Sequence, residues 1–254
     1  MSTPSPRHVV ETALHELLEQ RDLTAIDRWW DPGYIQHNAM MPDGSAVIRQ
    51  MVLGAPGFAS KTVRTIAEGD LVVVHNRVTG VGPTNLIGFE IFRVAGGKLV
   101  EHWDVQQPEQ LETVSGHSQI DGPTEIVDRD KTAANKQLVM RFFDDVLYHH
   151  KMDRLTAYIS PTSYIQHNPG VGDGLAGFGK AMADLAKAGL TMEYQKTYRY
   201  IAEGNFVFTH SEGIFAGKHV AFADLFRIED GLIVEHWDCI REVETTRKNP
   251  NSTF

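Results

Sequence analysis

Tyr34-Ile35-Gln36-His37-Asn38 recurs unchanged as Tyr164-Ile165-Gln166-His167-Asn168. Each copy is followed by an Asp-Gly pair, Asp43-Gly44 and Asp173-Gly174. Ile66-Ala67-Glu68-Gly69 returns as Ile201-Ala202-Glu203-Gly204, with His75 and His210 placed alike downstream. Phe92-Arg93 returns as Phe226-Arg227, and Val100-Glu101-His102-Trp103-Asp104 returns as Val234-Glu235-His236-Trp237-Asp238. The order is the same in both halves, and the offset stays near about 130 residues in a chain of 254. A period this long means two duplicated domains, because solenoid units run roughly 20–50 residues. The expected bounds are 1–112 for the first domain and 131–254 for the second. Between them, 113–130 reads as a polar linker, with turn formers at Ser115-Gly116 and Asp121-Gly122-Pro123.

Within each half the hydrophobic period changes once. Val9, Val10, Ala13, Leu14, Leu17 and Leu18 recur at three- and four-residue steps, as do Leu138, Val139, Phe142, Phe143, Val146 and Leu147. These predict an opening helix. Shorter helices are expected over 23–30 and 152–159, then the extended Tyr-Ile-Gln-His-Asn segment. Asp43 and Asp173 stand where an N-cap would precede helices over 45–53 and 175–188. Strands follow in the second half over 191–202, 206–215, 219–229 and 232–241, broken at Gly204-Asn205, Gly217-Lys218 and Asp230-Gly231. Helices first and antiparallel strands afterwards read as α+β. A curved antiparallel sheet wrapped by helices encloses a cone-shaped cavity, where a small ligand would bind.

Composition removes several classes. A net charge of −9 without basic blocks argues against a nucleic-acid surface. The single cysteine, Cys239, forbids an intramolecular disulfide and reads as packing rather than nucleophile. Met1–Arg7 is polar, and no stretch reads as a signal peptide or membrane span, so a cytoplasmic protein that does not touch membranes is expected. The Asn251-Ser252-Thr253 sequon carries no meaning there. There is no nucleophile elbow and no phosphate loop.

Strand parity brings candidate chemistry together. Asp224 and Phe226 share a face, and so do His236 and Asp238; in the first half Glu90 goes with Phe92, and His102 with Asp104. If those faces line the cavity, each receives a carboxyl group and a histidine from neighbouring strands, with His75 or His210 and His37 or His167 completing it. A carboxyl group in an apolar cavity and a nearby imidazole suit proton transfer at a carbon beside a carbonyl. Each histidine also has a plain reading as a core or capping residue, and Gln-His-Asn could simply close a turn. Tyr34, Tyr164, Trp103 and Trp237 read first as core. Three histidines and a carboxylate per half is adequate metal chemistry, but without a close His-x-His pair no metal is assigned.

With Gln166-His167-Asn168-Pro169, the Asp-Gly pair, Asp224-Leu225-Phe226-Arg227 and Gly231 to Asp238, the chain resembles the SnoaL-like branch of the nuclear-transport-factor-2-like (NTF2-like) superfamily. The resemblance covers both halves. It implies two tandem cone-shaped α+β barrels, each with a deep apolar pocket, and no cofactor. Members include polyketide cyclases that perform intramolecular aldol condensation, with ketosteroid isomerases and epoxide hydrolases more distant. In the cyclases an aspartate resembling Asp224 is the acid/base, and a residue resembling His236 points into the pocket. Related proteins often dimerise through the sheet, so the resemblance implies an intrachain pseudo-dimer of the two copies and allows a homodimer of two chains as a further expectation. The first half departs from the pattern, with Ala39 for Pro169 and Glu90 for Asp224.

The expected function is therefore a cofactor-independent lyase or isomerase acting on a small hydrophobic carbonyl compound. Asp224, His236 and His210 are the expected catalytic groups, with Glu90, His102 and His75 their first-half equivalents. His167, Asn168, Tyr164 and Asp238 are expected to contact the ligand, as are His37, Asn38, Tyr34 and Asp104. Two alternatives stay open: a non-catalytic module binding a small hydrophobic metabolite, and a hydrolase using a carboxylate-activated water.

Overall fold

The computed structural model describes residues 4–254, so the first three residues of the polar Met1–Arg7 segment lie outside the described residues. The chain forms two units, Met1–Glu109 with Val243–Phe254, and Gln110–Glu242. The stretch expected as a linker, 113–130, thus belongs with unit 2, and residues 243–254 belong with unit 1. Among the described residues no helix is long and apolar enough to cross a membrane.

In unit 1, α1 (Pro6–Leu14) buries Val9, Val10 and Ala13. Ser5 caps it by accepting from His8 N, and Pro6 opens the first turn, where its missing N–H costs nothing. The helix runs into a π-helical turn, His15–Glu19, that buries Leu17 and Leu18. Then come α2 (Ala25–Trp29), β1 (Trp30–Gln36), α3 (Ala46–Gly54) and four strands: β2 (Ala59–Glu68), β3 (Leu71–Thr79), β4 (Leu86–Ala95) and β5 (Lys98–Pro108). Unit 2 repeats the plan. Its α4 (Thr132–Phe142) also runs into a π turn, Phe143–Tyr148, and a 3₁₀ turn, Met152–Ala157, replaces the short helix. After β6 (Ile165–Gln166) and α5 (Gly174–Lys187) come β7 (Met192–Glu203), β8 (Phe206–Phe215), β9 (Lys218–Glu229) and β10 (Leu232–Glu242).

The sheet orders are β1-β5-β4-β3-β2 and β6-β10-β9-β8-β7. The α+β layout is as the sequence implies, but in two respects the sheets differ from the expected antiparallel barrels. Neither closes. And β1 and β6 run parallel to β5 and β10, with Gln36 beside His102 and Gln166 beside His236. Parallel neighbours need a long crossover, which the intervening helix and three strands supply.

Register then decides which groups meet. Asp224 faces Asp238 on β10 and Thr209 on β8, while Phe226 faces His236. In unit 1 Glu90 faces Asp104, and Phe92 faces His102. Strand β9 is buried continuously from Val220 to Phe226, as in a sheet with both faces out of water.

Asp173 stands at the N-cap of α5, as expected, whereas Ser45 takes that place before α3. Neither aspartate caps with its side chain: Asp43 and Asp173 accept from the backbone N–H of Gln36 and Gln166 at 2.8 Å and so pin the edge strand. The following glycine N–H donates to Tyr34 O or Tyr164 O at 2.7 Å. That turn needs a left-handed backbone, with φ of +91° at Gly44 and +73° at Gly174, which only glycine adopts without strain.

Candidate active site

Unit 2 encloses a cavity of about 250 Å³. Its walls come from α4, α5 and the sheet, and include the rings of Phe142, Tyr164, Phe178, Tyr194, Phe215 and Phe226. The exposed-to-half-buried helix α5 turns Leu175 and Phe178 inward to pack on the core. Set in this apolar wall are Asp224, His236, Asp238, Gln166 and Asn168.

Asp224 is fully buried and lies at the centre of these contacts. Its Oδ1 accepts from Tyr194 Oη at 2.9 Å and meets His236 Nε2 at 3.1 Å, while Oδ2 accepts from Thr209 Oγ1 at 3.2 Å. His236 Nδ1 reaches Gln166 Oε1 at 3.1 Å, and Gln166 in turn donates to Tyr164 Oη at 2.8 Å. Burial alone would lower the His236 pKa, but the hydrogen bond and charge of Asp224, with Asp238 nearby, raise it above the ordinary imidazole range. Asp238 goes the other way from a salt-bridged carboxylate. Burial, reinforced by the Asp224 charge, pushes it up against the pull of His236 and the bond from Asn168 Nδ2 at 2.7 Å. Burial also pushes the Tyr164 and Tyr194 hydroxyls up, so both stay protonated, Tyr194 as the donor to Asp224.

Several expected site residues lie elsewhere. His210 pairs with Ala223 in the ladder, one step from the Thr209–Asp224 pair, so it occupies the opposite face and meets Arg199 Nη1 at 3.2 Å. His75 does the same in unit 1, with Arg64 at 3.2 Å. His167 turns away from Gln166, stacks on Trp237 at 4.6 Å, and puts its two nitrogens at 2.6 Å from Ser118 O and 2.8 Å from Glu235 Oε1. His37 repeats this with Trp103, Ser252 O and Glu101. None of these four histidines is positioned to touch a ligand in the way the sequence suggested; each holds backbone or a neighbouring strand. Cys239 is buried, and burial raises its thiol well above the usual range.

In unit 1 the longer Glu90 still reaches the matching histidine, with Oε2 at 2.8 Å from His102 Nε2. Its other oxygen accepts from Asn76 Nδ2 and Gln106 Nε2, both at 3.0 Å. The equivalent ladder positions in unit 2 hold Ser211 and Ile240. Gly88, opposite Gln106, replaces Phe222, and a Cβ there would come within 2.4 Å of Gln106 Cγ. Burial would push Glu90 up, but bonds from His102, Asn76 and Gln106 hold it below the ordinary carboxylate range, and His102 is raised in turn. Gln36 Oε1 meets His102 Nδ1 at 2.8 Å, Asn38 donates to Asp104 at 2.7 Å, and Tyr34 is buried 6.3 Å from the His102 ring.

The sequence profile of the SnoaL-like domain family matches this chain twice, over residues 11–102 and 139–236, together well over half of it. The chain belongs to the SnoaL-like domain family. Both units are α+β domains of the NTF2-like fold in tandem. Among solved structures the chain is similar to wild-type IdmH, a candidate polyketide cyclase from Streptomyces antibioticus, at 20% identity over 41% of this chain and 93% of that one, TM-score 0.34. It is similar to TsrD from Streptomyces laurentii at 18% identity over 42% and 91%, TM-score 0.35. A candidate ketosteroid isomerase from Kribbella flavida aligns at 15% identity over 45% and 82%, TM-score 0.37. No curated protein matches the chain.

Within this SnoaL-like pair, several contributors carry no repeated sequence. Tyr194 and Thr209 hold Asp224, but their ladder equivalents in unit 1 are Ser60 and Val74. Two straps also repeat in space. Val114 N donates to Pro169 O and Lys248 N to Ala39 O; Ser118 O meets His167 and Ser252 O meets His37. Finally, Asp224, His236 and Asp238 bring one donor atom each within 4.8 Å of one another, so these three could hold a divalent cation, although here His236 itself engages Asp224.

Proposed function

We propose that the second SnoaL-like unit catalyses cofactor-independent proton transfer beside a carbonyl, of the aldol-cyclising or isomerising kind. The observation that carries this is the Asp224–His236–Asp238 group in an otherwise apolar cavity. Asp224 takes the proton from carbon, and the C–H electron pair moves into an enolate. Asp238, held up by burial, donates a hydrogen bond to the enolate oxygen, with Asn168 alongside. The enolate carbon then attacks a second carbonyl of the same molecule, whose oxygen collects the proton, or is reprotonated from Asp224 at another carbon. His236 and Tyr194 orient the Asp224 carboxylate. Unit 1 does not take part in this reading, because bonds from His102, Asn76 and Gln106 hold Glu90 below the ordinary carboxylate range. The cytoplasmic location expected from the sequence goes with it, supported by the lone buried cysteine.

The test is deuterium incorporation from solvent into a panel of cyclic aryl ketones, followed by NMR. The unaltered chain should catalyse exchange, and Asp224→Asn should slow it by about 10²–10⁴. Exchange that survives the substitution, or none with any ketone, sinks the reading. A binding module is the second reading, favoured by the three partners that Asp224 already has. Ketone binding without exchange would decide for it.

A further inference from the structure

Gln166 stands beside His236 where β6 runs parallel to β10, and it is buried. Its Oε1 lies 3.1 Å from His236 Nδ1, and its Nε2 donates to Tyr164 Oη at 2.8 Å. Unit 1 shows which way round such an amide sits. There the backbone N–H of Asn38 donates to Gln36 Oε1 at 3.0 Å, a bond that only oxygen can accept. That same oxygen stands 2.8 Å from His102 Nδ1. An imidazole nitrogen that faces an amide oxygen carries hydrogen.

The other ring nitrogen of His236 faces Asp224 Oδ1 at 3.1 Å, and Asp224 is itself an acceptor from Tyr194 and Thr209. With an acceptor at each end, the ring is held as imidazolium. Were the amide turned round, its NH₂ would face Nδ1, and the ring could accept from it only by becoming neutral. The setting of one side-chain amide is therefore tied to the charge beside Asp224. The other ionisable groups of the cavity are Asp238 on β10, Tyr194 on β7, Tyr164 just before β6 and Asp184 on α5. Of the described residues, Gln166 is the one that meets Nδ1.

The backbone fixes where that side chain begins. Gln166 N donates to Asp173 Oδ1 at 2.8 Å, Ser115 Oγ donates to Gln166 O at 2.7 Å, and His167 N donates to His236 O at 2.9 Å. None of these three bonds uses a side-chain atom of Gln166, so they survive its substitution.

We propose that Gln166 is the positioning residue of the Asp224–His236 pair: its amide oxygen keeps a hydrogen on Nδ1, so that Nε2–H is the donor that holds the Asp224 carboxylate at the cavity wall. Gln166 acts through His236 and not on the reacting carbon. Its effect on rate rests on the proton-transfer reading; its effect on the ring does not.

The experiment titrates the His236 ring in the full chain by long-range ¹H–¹⁵N correlation NMR, with its signals assigned by their loss in His236→Gln. Gln166→Met removes the acceptor at nearly the same shape, and Gln166→Glu replaces it with a charged one. The His236 midpoint should fall by about half a pH unit or more with methionine and rise by about one unit with glutamate. A side chain that only fills space would not move the midpoint in opposite directions. The alkaline limb of ketone exchange should move with the midpoint in each variant. Midpoints that stay put, or that move the same way in both variants, would overturn the proposal. So would a ring that carries no hydrogen on Nδ1 at neutral pH in the unaltered chain, a result that needs no variant to fold. Opposed shifts without ketone exchange by any form keep this inference and lose the proton-transfer reading. Exchange whose alkaline limb ignores both substitutions keeps that reading and loses this inference.

Discussion

Gln106 Nε2 donates to Glu90 Oε1 at 3.0 Å, and at the equivalent ladder position of unit 2 stands Ile240, which has nothing to donate. This exchange of amide for hydrocarbon separates a carboxylate held by two side-chain amides from one held by two hydroxyls in the wall of an apolar cavity. Gly88 and Asn76 belong to the same change, since the first makes room for Gln106 and the second supplies another donor.

Gln106→Leu should therefore destabilise unit 1 by about 1.5–3 kcal/mol, the usual worth of a hydrogen bond to a buried charge. Urea unfolding followed by hydrogen exchange in each unit would reveal it. Ketone exchange in unit 2 should be unchanged. A loss of exchange activity in this variant would place the chemistry in the wrong unit.

The Glu90–His102 pair sets a pH window for unit 1. Glu90 is depressed, so its contribution is present above its unfolded pKa of about 4.3 and lost as pH falls through the lower folded value. His102 is raised, so its contribution is full below about 6.5 and lost as pH rises through the higher folded value. The urea midpoint of unit 1 should peak between those limits, and Glu90→Gln should flatten the peak.

Asp238 predicts the reverse sign. Its folded pKa is raised, so its ionisation opposes folding above the unfolded value, and stability returns as pH falls. Asp238→Asn should raise the melting temperature of unit 2 by a few degrees at neutral pH and lose that advantage in acid. Asn168 can still donate to the new amide oxygen. A melting temperature that drops at neutral pH would contradict the assignment.

His236 should appear in the rate. Its pKa is raised above the ordinary imidazole range by Asp224 and Asp238, so ketone exchange should decline on the alkaline side of that range, as the proton leaves. His236→Gln should remove this limb and leave a slower, flatter profile. An unchanged alkaline limb would assign it to another group.

Truncation after Glu242 should harm unit 1 and spare unit 2. The tail donates from Arg247 to His37 O, from Asn249 to Asn38 O and Met41 O, and from Asn251 to Gln36 O. At about 0.5–1.5 kcal/mol each, their loss should cost unit 1 a few kcal/mol. Amide exchange at Gln36, His37 and Asn38 should accelerate while that at Gln166, His167 and Asn168 stays put.

The duplication, the α+β class and the common face of His236 and Asp238 were legible because side-chain identity carries them: period, parity and repeated motifs. That Asp224 joins them depends on the β9–β10 register, which parity along one strand does not give. The opposite-face positions of His210 and His75 were not legible, because they depend on a one-residue register between β8 and β9, and between β3 and β4, that no single strand reveals. Burial on both faces of β9 erased the polar alternation that would have helped. Tyr194 and Thr209 were invisible as site residues because they are not repeated. The straps were missed for a different reason. They grip through backbone carbonyls and N–H groups, so 113–118 and 247–252 needed little in common beyond Ser118 and Ser252.

The clasp on His37 comes from a residue 215 positions further along the chain. A ribosome therefore releases the first unit unfinished and makes the whole of the second before the missing piece exists. During that interval the Gln36–Asn38 edge stands without its cover, and chaperone binding or edge-to-edge aggregation would fall on the half that was made first.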